Sequence, residues 1–457
     1  MKELFLLWLA CCGVLVAYGQ QRITFAEPDL GKMSLLSRTV SIDSRHDSVY
    51  VAYGNERELK ALRDLGYDYS LTEVPRETKT LTMAQNVEEM RQWNRYPTYE
   101  TYVEMMQGFA RDYPDLCQLD TIGYSVRNRL ILCVRLTSDA IPESAKPQFF
   151  YSSTMHGDEI AGFQLMLHLI DTLLSGYGRN AQYTHLLDSV QVFINPLSNP
   201  DGTYNGGNDN VTYSTRYNAN SVDLNRNYPD PFGTAPLDDL QQENTAMMDY
   251  VGRHRFRLAA NLHGGSEVLN YPWDSFTSRE RQHPAWRWWE RVCTRFVDTL
   301  RAHSSMTFDE VANEGYLAGG DWYVIPNGRQ DYMNATRGIL EMTMEISNEK
   351  KLSVEELPAY WSALQHPLVD YIHCVLPDTA DVGISLLEKE HLDVYPNPCV
   401  GKAFLSTPAT SRLELFDMKG RLLVTYPKGT KEFELRQPAG IYLLRCGAYR
   451  CPIVVVR

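Results

Sequence analysis

Four short runs, QFFYSST, VQVFINPL, LAANLH and GILEMTMEIS, are dominated by apolar residues, and longer amphipathic stretches such as AGFQLMLHLIDTLLSG and HPAWRWWERVCTRFVDTLRAH stand among them. Strands this apolar need cover on both faces, and alternation with helices supplies it. From Trp93 to about Cys374 the chain is therefore expected to fold as an α/β domain around a mostly internal sheet. Ligand sites in such sheets lie beyond strand ends, where loops converge, and each polar motif discussed below follows one of these runs.

Length and composition set the organisation around that domain. A chain of 457 residues exceeds one ordinary core, so further domains are expected on either side. Residues 1–19, MKELFLLWLACCGVLVAYG, combine a lysine, an apolar run and small residues, which is the pattern of a secretory signal peptide cut after Gly19. The run is too short for a transmembrane anchor, so no transmembrane segment is expected after cleavage. Residues 20–92 contain VYVAYGNERELKALRDLGYDYSL, which reads as a β-run, a helix with apolar Leu59, Leu62 and Leu65, and a second β-run. This predicts a small βαβ-like unit, a propeptide or an accessory domain, followed by the polar linker TEVPRETKTLTMAQN. Residues 93–376 form the central domain and 377–387 a linker. Residues 388–457, with turn signals at Met418-Lys419-Gly420 and Pro438-Ala439-Gly440, form a small all-β, sandwich-like domain. A formal charge of −13 with no long basic run argues against a nucleic-acid partner. Seven cysteines remain after the leader, an odd number that leaves at least one thiol free or paired between chains, and none forms a Cys-x-x-Cys.

Three His-x-x-acid pairs occur, His156/Glu159, His168/Asp171 and His185/Asp188, where this composition supplies about 1.4 by chance, so spacing alone selects none. Position separates them. His156 and Glu159, in MHGDE, leave the run QFFYSST, and His263 ends LAANLH, so three donors fall at strand ends. A catalytic zinc site takes three protein ligands and leaves one position for water. His168 lies inside an amphipathic helix and His185 near the end of the next, and both read as structural. Between His156 and Glu159, Gly157 and Asp158 keep only the loop. In GILEMTMEIS, Glu341, Thr343 and Glu345 share one strand face. A carboxylate on so apolar a strand needs a partner, and burial raises its pKa toward that of a general base. Alternation does not distinguish Glu341 from Glu345, and a solvated edge strand would give the same pattern. The segment DLNRNYPDPF sets arginine beside asparagine, a pairing able to grip a carboxylate.

Taken together, HGDE, NPDG, R-x-N-x-N-x-x-DLNRN-Y-PDPF, ANLHGGSEVLNYPWD, WY-x-x-P-x-G-x-QDY and E-x-T-x-E-x-S resemble, in order, the motifs of the zinc metallocarboxypeptidases of the N/E-type, or regulatory, branch. The resemblance covers most of Trp93 to Cys374. It implies a metallocarboxypeptidase-like mixed sheet flanked by helices, and one zinc ion per chain held by His156, Glu159 and His263. It implies Asp223 as the carboxylate that orients the first ligand histidine. Asn225 and Arg226 match the pair that binds the substrate's terminal carboxylate, and Arg216 the arginine that polarises the scissile carbonyl. Tyr323 matches the mobile tyrosine that closes over the substrate, and Glu345 the general base, which resolves the ambiguity with Glu341.

Specificity follows from the same resemblance. Asp274, in NYPWD, matches the aspartate that selects C-terminal Lys or Arg in this branch, and Gln330 a polar neighbour in that pocket. Trp273 stands where a smaller aromatic is usual. Asn327 and Arg329 stand where the branch has Gly and Met. From Asp378 onward the chain does not resemble the transthyretin-like domain common in the branch. Through YPNP, LELFDMKGRLL and PAGIYLLR it resembles a type IX secretion sorting domain. The expectation is a secreted or surface-attached zinc carboxypeptidase, exported through the periplasm by the type IX machinery, acting on peptide or protein C-termini that are basic. Two alternatives are a cell-wall peptide hydrolase on the same scaffold and a catalytically inactive binding protein. Asn225, Arg226 and Asp274 disfavour the first. The retained ligands and Glu345 disfavour the second.

Overall fold

The computed structural model describes residues 21–29, 32–72, 81–141, 145–237, 239–376, 394–395, 399–405, 408–417, 420–447 and 449–455. The expected leader, 1–19, and the expected linker, 377–387, lie outside the described residues, as does most of YPNP. The chain divides into two units between Leu376 and Pro377.

The first unit opens with a four-stranded sheet made by β1 (Gln21–Ala26), β2 (Ser41–His46), β3 (Val49–Gly54) and β4 (Ser70–Leu71), with helices α1 (Met33–Thr39) and α2 (Glu56–Asp64). The strand order is β2-β3-β1-β4, and β1 runs antiparallel to both of its neighbours. The expected β-run, helix, β-run is β3-α2-β4, with β1 inserted between its two strands. Asn55 begins α2 with a capping box, its side chain accepting from the Glu58 N–H while Glu58 reaches back to the Asn55 N–H. Leu59 and Leu62 are buried under the sheet, whereas Leu65 lies just past the helix end and is 41% exposed.

The central sheet carries eight strands: β5 (Cys117–Tyr124), β6 (Leu130–Leu136), β7 (Gln148–Ser153), β8 (Gln191–Asn195), β9 (Phe256–His263), β10 (Ser266–Tyr271), β11 (Tyr316–Ala318) and β12 (Leu340–Ser347). Their order is β11-β10-β12-β9-β7-β8-β6-β5. β12, β9, β7 and β8 run parallel to one another, while β6 and β10 join the parallel core antiparallel. The sheet is mixed, as expected. Helices α3 (Tyr99–Asp112), α4 (Ala161–Gly176), α5 (Ala181–Ser189), α6 (Gln242–Gly252), α7 (Trp286–His303) and α8 (Leu357–His373) accompany it. β8 is buried at every residue, and α4 is buried over most of its length. β12 lies between β10 and β9 and is therefore an internal strand, which removes the edge-strand explanation for its acids.

The second unit has two small antiparallel sheets, one of Val394–Tyr395, Lys402–Leu405 and Glu432–Glu434, the other of Leu413–Asp417, Leu422–Tyr426, Gly440–Cys446 and Tyr449–Val455. Leu405, Leu413, Leu415, Phe433, Leu444, Ile453 and their neighbours give it a core of its own. None of the seven cysteines is disulfide-bonded.

Candidate active site

β7 ends at Ser153, and Thr154 then takes a φ of 58°. A β-branched residue in the left-handed region is strained and persists only where its surroundings hold it. Here the Thr154 hydroxyl donates to the Glu159 carbonyl at 3.1 Å, and its carbonyl accepts the Asn199 N–H at 3.1 Å. The turn carries His156 and Glu159 off the sheet. Gly157 packs against Gly202 of NPDG, where an added Cβ would sit 2.3 Å from the Gly202 carbonyl carbon. Gly157 also donates its N–H to the Arg216 carbonyl at 3.2 Å. Three of the ordered motifs therefore touch at one glycine.

His263 ends β9 and is paired in register with Glu345 on β12. This brings His263 beside the pair from β7. His156 Nδ1 lies 2.9 Å from Glu159 Oε1, His263 Nδ1 lies 2.8 Å from Glu159 Oε2, and the two Nδ1 atoms are 3.1 Å apart. All three residues are nearly buried. Two imidazole nitrogens facing each other across a carboxylate, out of water, suit a shared cation, and their kind and number suit zinc. Among the described residues this is the one group of three or more His, Cys, Asp or Glu side chains that could hold a metal. The outer nitrogens are held as well: His156 Nε2 lies 3.0 Å from Asp223 Oδ1, and His263 Nε2 lies 2.6 Å from the Asn261 side-chain amide. Such contacts fix ring orientation.

The other residues singled out from sequence surround the cluster. Arg216 donates through Nε to Asp223 Oδ2 at 3.0 Å, and its Nη1 lies 3.4 Å from Glu159 Oε1. Asn225 accepts the Arg329 N–H at 2.9 Å on its side-chain oxygen. Glu345, Asn225, Arg226, Tyr323 and Asp274 line one cavity of about 1010 Å³ with the three candidate ligands. Burial, reinforced by the Glu159 charge, holds the Glu345 carboxyl well above the usual range. Glu341, on the same strand face, is not among the residues lining this cavity and is paired with Arg329 Nε and Nη2 at 2.9 and 3.0 Å.

Asp274 is buried, and its Oδ1 accepts from Gln330 Nε2 at 2.6 Å. Its proximity to Gly319 leaves no room for a Cβ there, which would lie 1.9 Å from that oxygen. Burial first, then the neighbouring Asp331 charge, pushes Asp274 well above the ordinary aspartate value, and burial raises Asp331 to about 6. Trp273 packs edge-on against Phe232, with ring centres 5.0 Å apart. Asn327 has a φ of 58°, in a region that this residue type tolerates. Its Nδ2 donates to the Tyr228 carbonyl at 3.0 Å.

The family model for zinc carboxypeptidases matches residues 102–366, more than half of the chain. The chain belongs to the zinc carboxypeptidase family. Carboxypeptidase M of Mus musculus is 34% identical over 296 residues, spanning 61% of this chain and 65% of that protein. Carboxypeptidase D of Rattus norvegicus is 31% identical over 291 residues, spanning 61% of this chain and 21% of that much longer protein. Among solved structures, a carboxypeptidase A from Helicoverpa armigera aligns with a TM-score of 0.57 at 15% identity over 79% of this chain and 98% of that one, a likeness of fold. Thrombin activatable fibrinolysis inhibitor aligns with the same TM-score and identity over 78% of this chain and 99% of its own.

In this member of the zinc carboxypeptidase family, residues 21–71 roof the site through contacts that the sequence does not announce. β2 runs across the cavity. Ser41 Oγ donates to Asp223 Oδ2 at 2.6 Å, and the Ile42 carbonyl accepts from Arg226 Nη2 at 3.1 Å. Asp43 Oδ1 accepts from Arg216 Nη1 at 3.2 Å and from Lys350 Nζ at 2.5 Å. The Tyr323 hydroxyl is directed at the Asp43 carbonyl, 3.5 Å away. Lys350 also lies 3.4 Å from Asp158 Oδ2, so Asp158 does more than complete a loop: it lines the cavity and carries charge there. Nothing in TVSIDSRH or NEKKL announces these contacts, because they join segments 173 to 307 residues apart.

Proposed function

We propose that this chain is a zinc-dependent carboxypeptidase that releases C-terminal Lys or Arg from peptides or proteins, and that residues 21–71 hold it latent. The observation that carries the specificity is Asp274, a buried acid in the same cavity as Asn225, Arg226 and the metal cluster, with Gln330 as its hydrogen-bond donor. A buried carboxylate whose side-chain donor is a neutral amide, with only the more distant Arg226 charge acting on it, attracts a cation and leaves an apolar side chain beside a poorly compensated charge.

Bound zinc would polarise the scissile carbonyl and lower the pKa of water. The chain's residues account for the other steps. Asn225 and Arg226 hold the terminal carboxylate, which restricts cleavage to the last peptide bond. Arg216 offers its guanidinium to the developing oxyanion, a contribution of about 3 kcal/mol per donor in comparable sites. Glu345, kept basic by burial, accepts the proton of the attacking water and returns it to the leaving amine. Tyr323 covers the substrate.

Latency is supported by the groups β2 occupies. Asp43 takes Arg216 and the Ile42 carbonyl takes Arg226, so the two arginines needed by the substrate are engaged from within the chain. The linker carries Arg76 and Lys79, which a trypsin-like protease can cut. Export through the periplasm and by the type IX machinery, to a secreted or surface-attached state, belongs to the same reading. Its supports are the leader-like first 19 residues and the sorting-domain resemblance of the C-terminal unit. Among the described residues no helix is long and apolar enough to cross a membrane.

A panel of peptides differing only in the last residue, incubated with zinc-loaded chain before and after limited trypsin cleavage of the linker, tests the proposal by mass spectrometry. Release of a single C-terminal Lys or Arg, faster after cleavage, is the expected result. Internal cleavage, or no release from either form, contradicts it.

A further inference from the structure

Arg329 has no part in the steps above, yet it carries a charge and is 1% exposed. Its Nε and Nη2 donate to Oε1 and Oε2 of Glu341, itself fully buried, at 2.9 and 3.0 Å. A hydrophobic pair of similar volume would fill this space at least as favourably, because taking two charges out of water is costly. An ion pair of this kind adds direction. Two parallel hydrogen bonds hold the guanidinium in one orientation and with it the backbone that carries it.

That backbone supports both halves of the substrate pocket. The Arg329 N–H donates to the Asn225 side-chain oxygen at 2.9 Å. The next residue, Gln330, donates through Nε2 to Asp274 Oδ1 at 2.6 Å and accepts the Thr343 N–H on Oε1 at 2.6 Å. Asn334, further along the same segment, donates to the Glu341 carbonyl at 2.8 Å. The group proposed to grip the terminal carboxylate and the group proposed to grip the basic side chain therefore depend on two consecutive residues. Those residues are pinned to β12 at Glu341 and Thr343.

We propose that the Arg329–Glu341 pair is the fixed point that sets the distance between Asn225 and Asp274, and so the length of basic side chain the pocket accepts. Arg329 is in this sense a positioning residue. The proposal rests on the carboxypeptidase reading, and its test separates the two.

Four peptides identical except for a last residue of ornithine, lysine, arginine or homoarginine are assayed for kcat and KM. The protein is used intact or linker-cleaved, whichever form turns over faster. Wild type is compared with Arg329→Met/Glu341→Leu, which removes both charges at similar volume. Where that variant fails to fold, Arg329→Lys, which keeps the charge but not the fork, is read in the same way. The expected result is that the ratio of kcat/KM between best and worst chain length narrows at least fivefold, chiefly through KM, with zinc content unchanged. A folded variant that keeps the wild-type ratio overturns the proposal and leaves the pair a packing element, whatever its Tm. A wild type indifferent to chain length overturns it too. A wild type that releases none of the four residues overturns the carboxypeptidase reading itself.

Discussion

Asp274 and Glu345 are both buried acids with raised pKa values, but they ask for opposite things. In the roles proposed for them, Glu345 accepts a proton and gains from the shift, whereas Asp274 has to be ionised to hold a cation. The sign for Asp274 follows from linkage. A carboxyl whose folded-state pKa lies above its unfolded value contributes stability at pH below the unfolded value, and that contribution is lost as pH rises through the folded value. The preference for Lys over Leu, measured as a ratio of kcat/KM to cancel the Glu345 titration, should rise with pH as Asp274 ionises. In Asp274→Asn that ratio should fall about a hundredfold at pH 8, roughly 2.7 kcal/mol, and become flat with pH. A ratio that still climbs in the variant would show that another group reads the cation. At this scale the sequence was legible where motifs came in order: His156, Glu159, His263, Asp223 and Asn225, drawn from separate motifs, lie together in the fold. Strand alternation alone was silent between Glu341 and Glu345, because residues four apart on a strand share a face, and only the ordered motifs pointed to Glu345. What separates them is Arg329, a partner that strand periodicity has no way to register.

Among the elements, β2 decides the most. Its edge supplies a hydroxyl, a carbonyl and a carboxylate to the site at successive residues Ser41, Ile42 and Asp43. Truncating Asp43 leaves Arg216 and Lys350 buried without this counter-charge, and loss of one partner of a buried pair is strongly unfavourable. Asp43→Ala should therefore loosen residues 21–71 from the site and raise the turnover of the intact chain at least tenfold, about 1.4 kcal/mol, toward the linker-cleaved rate. Unchanged turnover in the intact variant, with faster turnover after linker cleavage, would place the block in another contact. Legibility differs sharply between elements. The central strands were plain from their apolar runs, since burial on both faces leaves a composition that few other elements show. The small N-terminal sheet was half legible: its β-run, helix, β-run was evident, but not the strand inserted between them, nor the face it turns to the site.

Across the whole molecule, the two units each possess a core, and their internal packing does not depend on the same residues. Calorimetry of the full chain should accordingly give two transitions. Zinc chelation should lower only the one belonging to residues 21–376, by about 5 °C if the ion is held a hundredfold above its dissociation constant, which is about 2.7 kcal/mol. A single transition that moves as one would contradict this independence. Sequence reading ends the central domain at residue 376, next to the division between the two units, because a change from helical to short-stranded pattern is a property of long windows. Contacts across the first unit are a property of the folded chain alone. The register of β9 with β12 has a final consequence. His263 and Glu345 face the site only because they are paired, and sliding β12 by one residue would present Met344 to His263 and turn Glu345 to the opposite face. Turnover is thus, in the proposed mechanism, a proofreader of strand alignment: a molecule misthreaded by a single residue in the middle of its sheet would keep much of its shape but lack the proposed base.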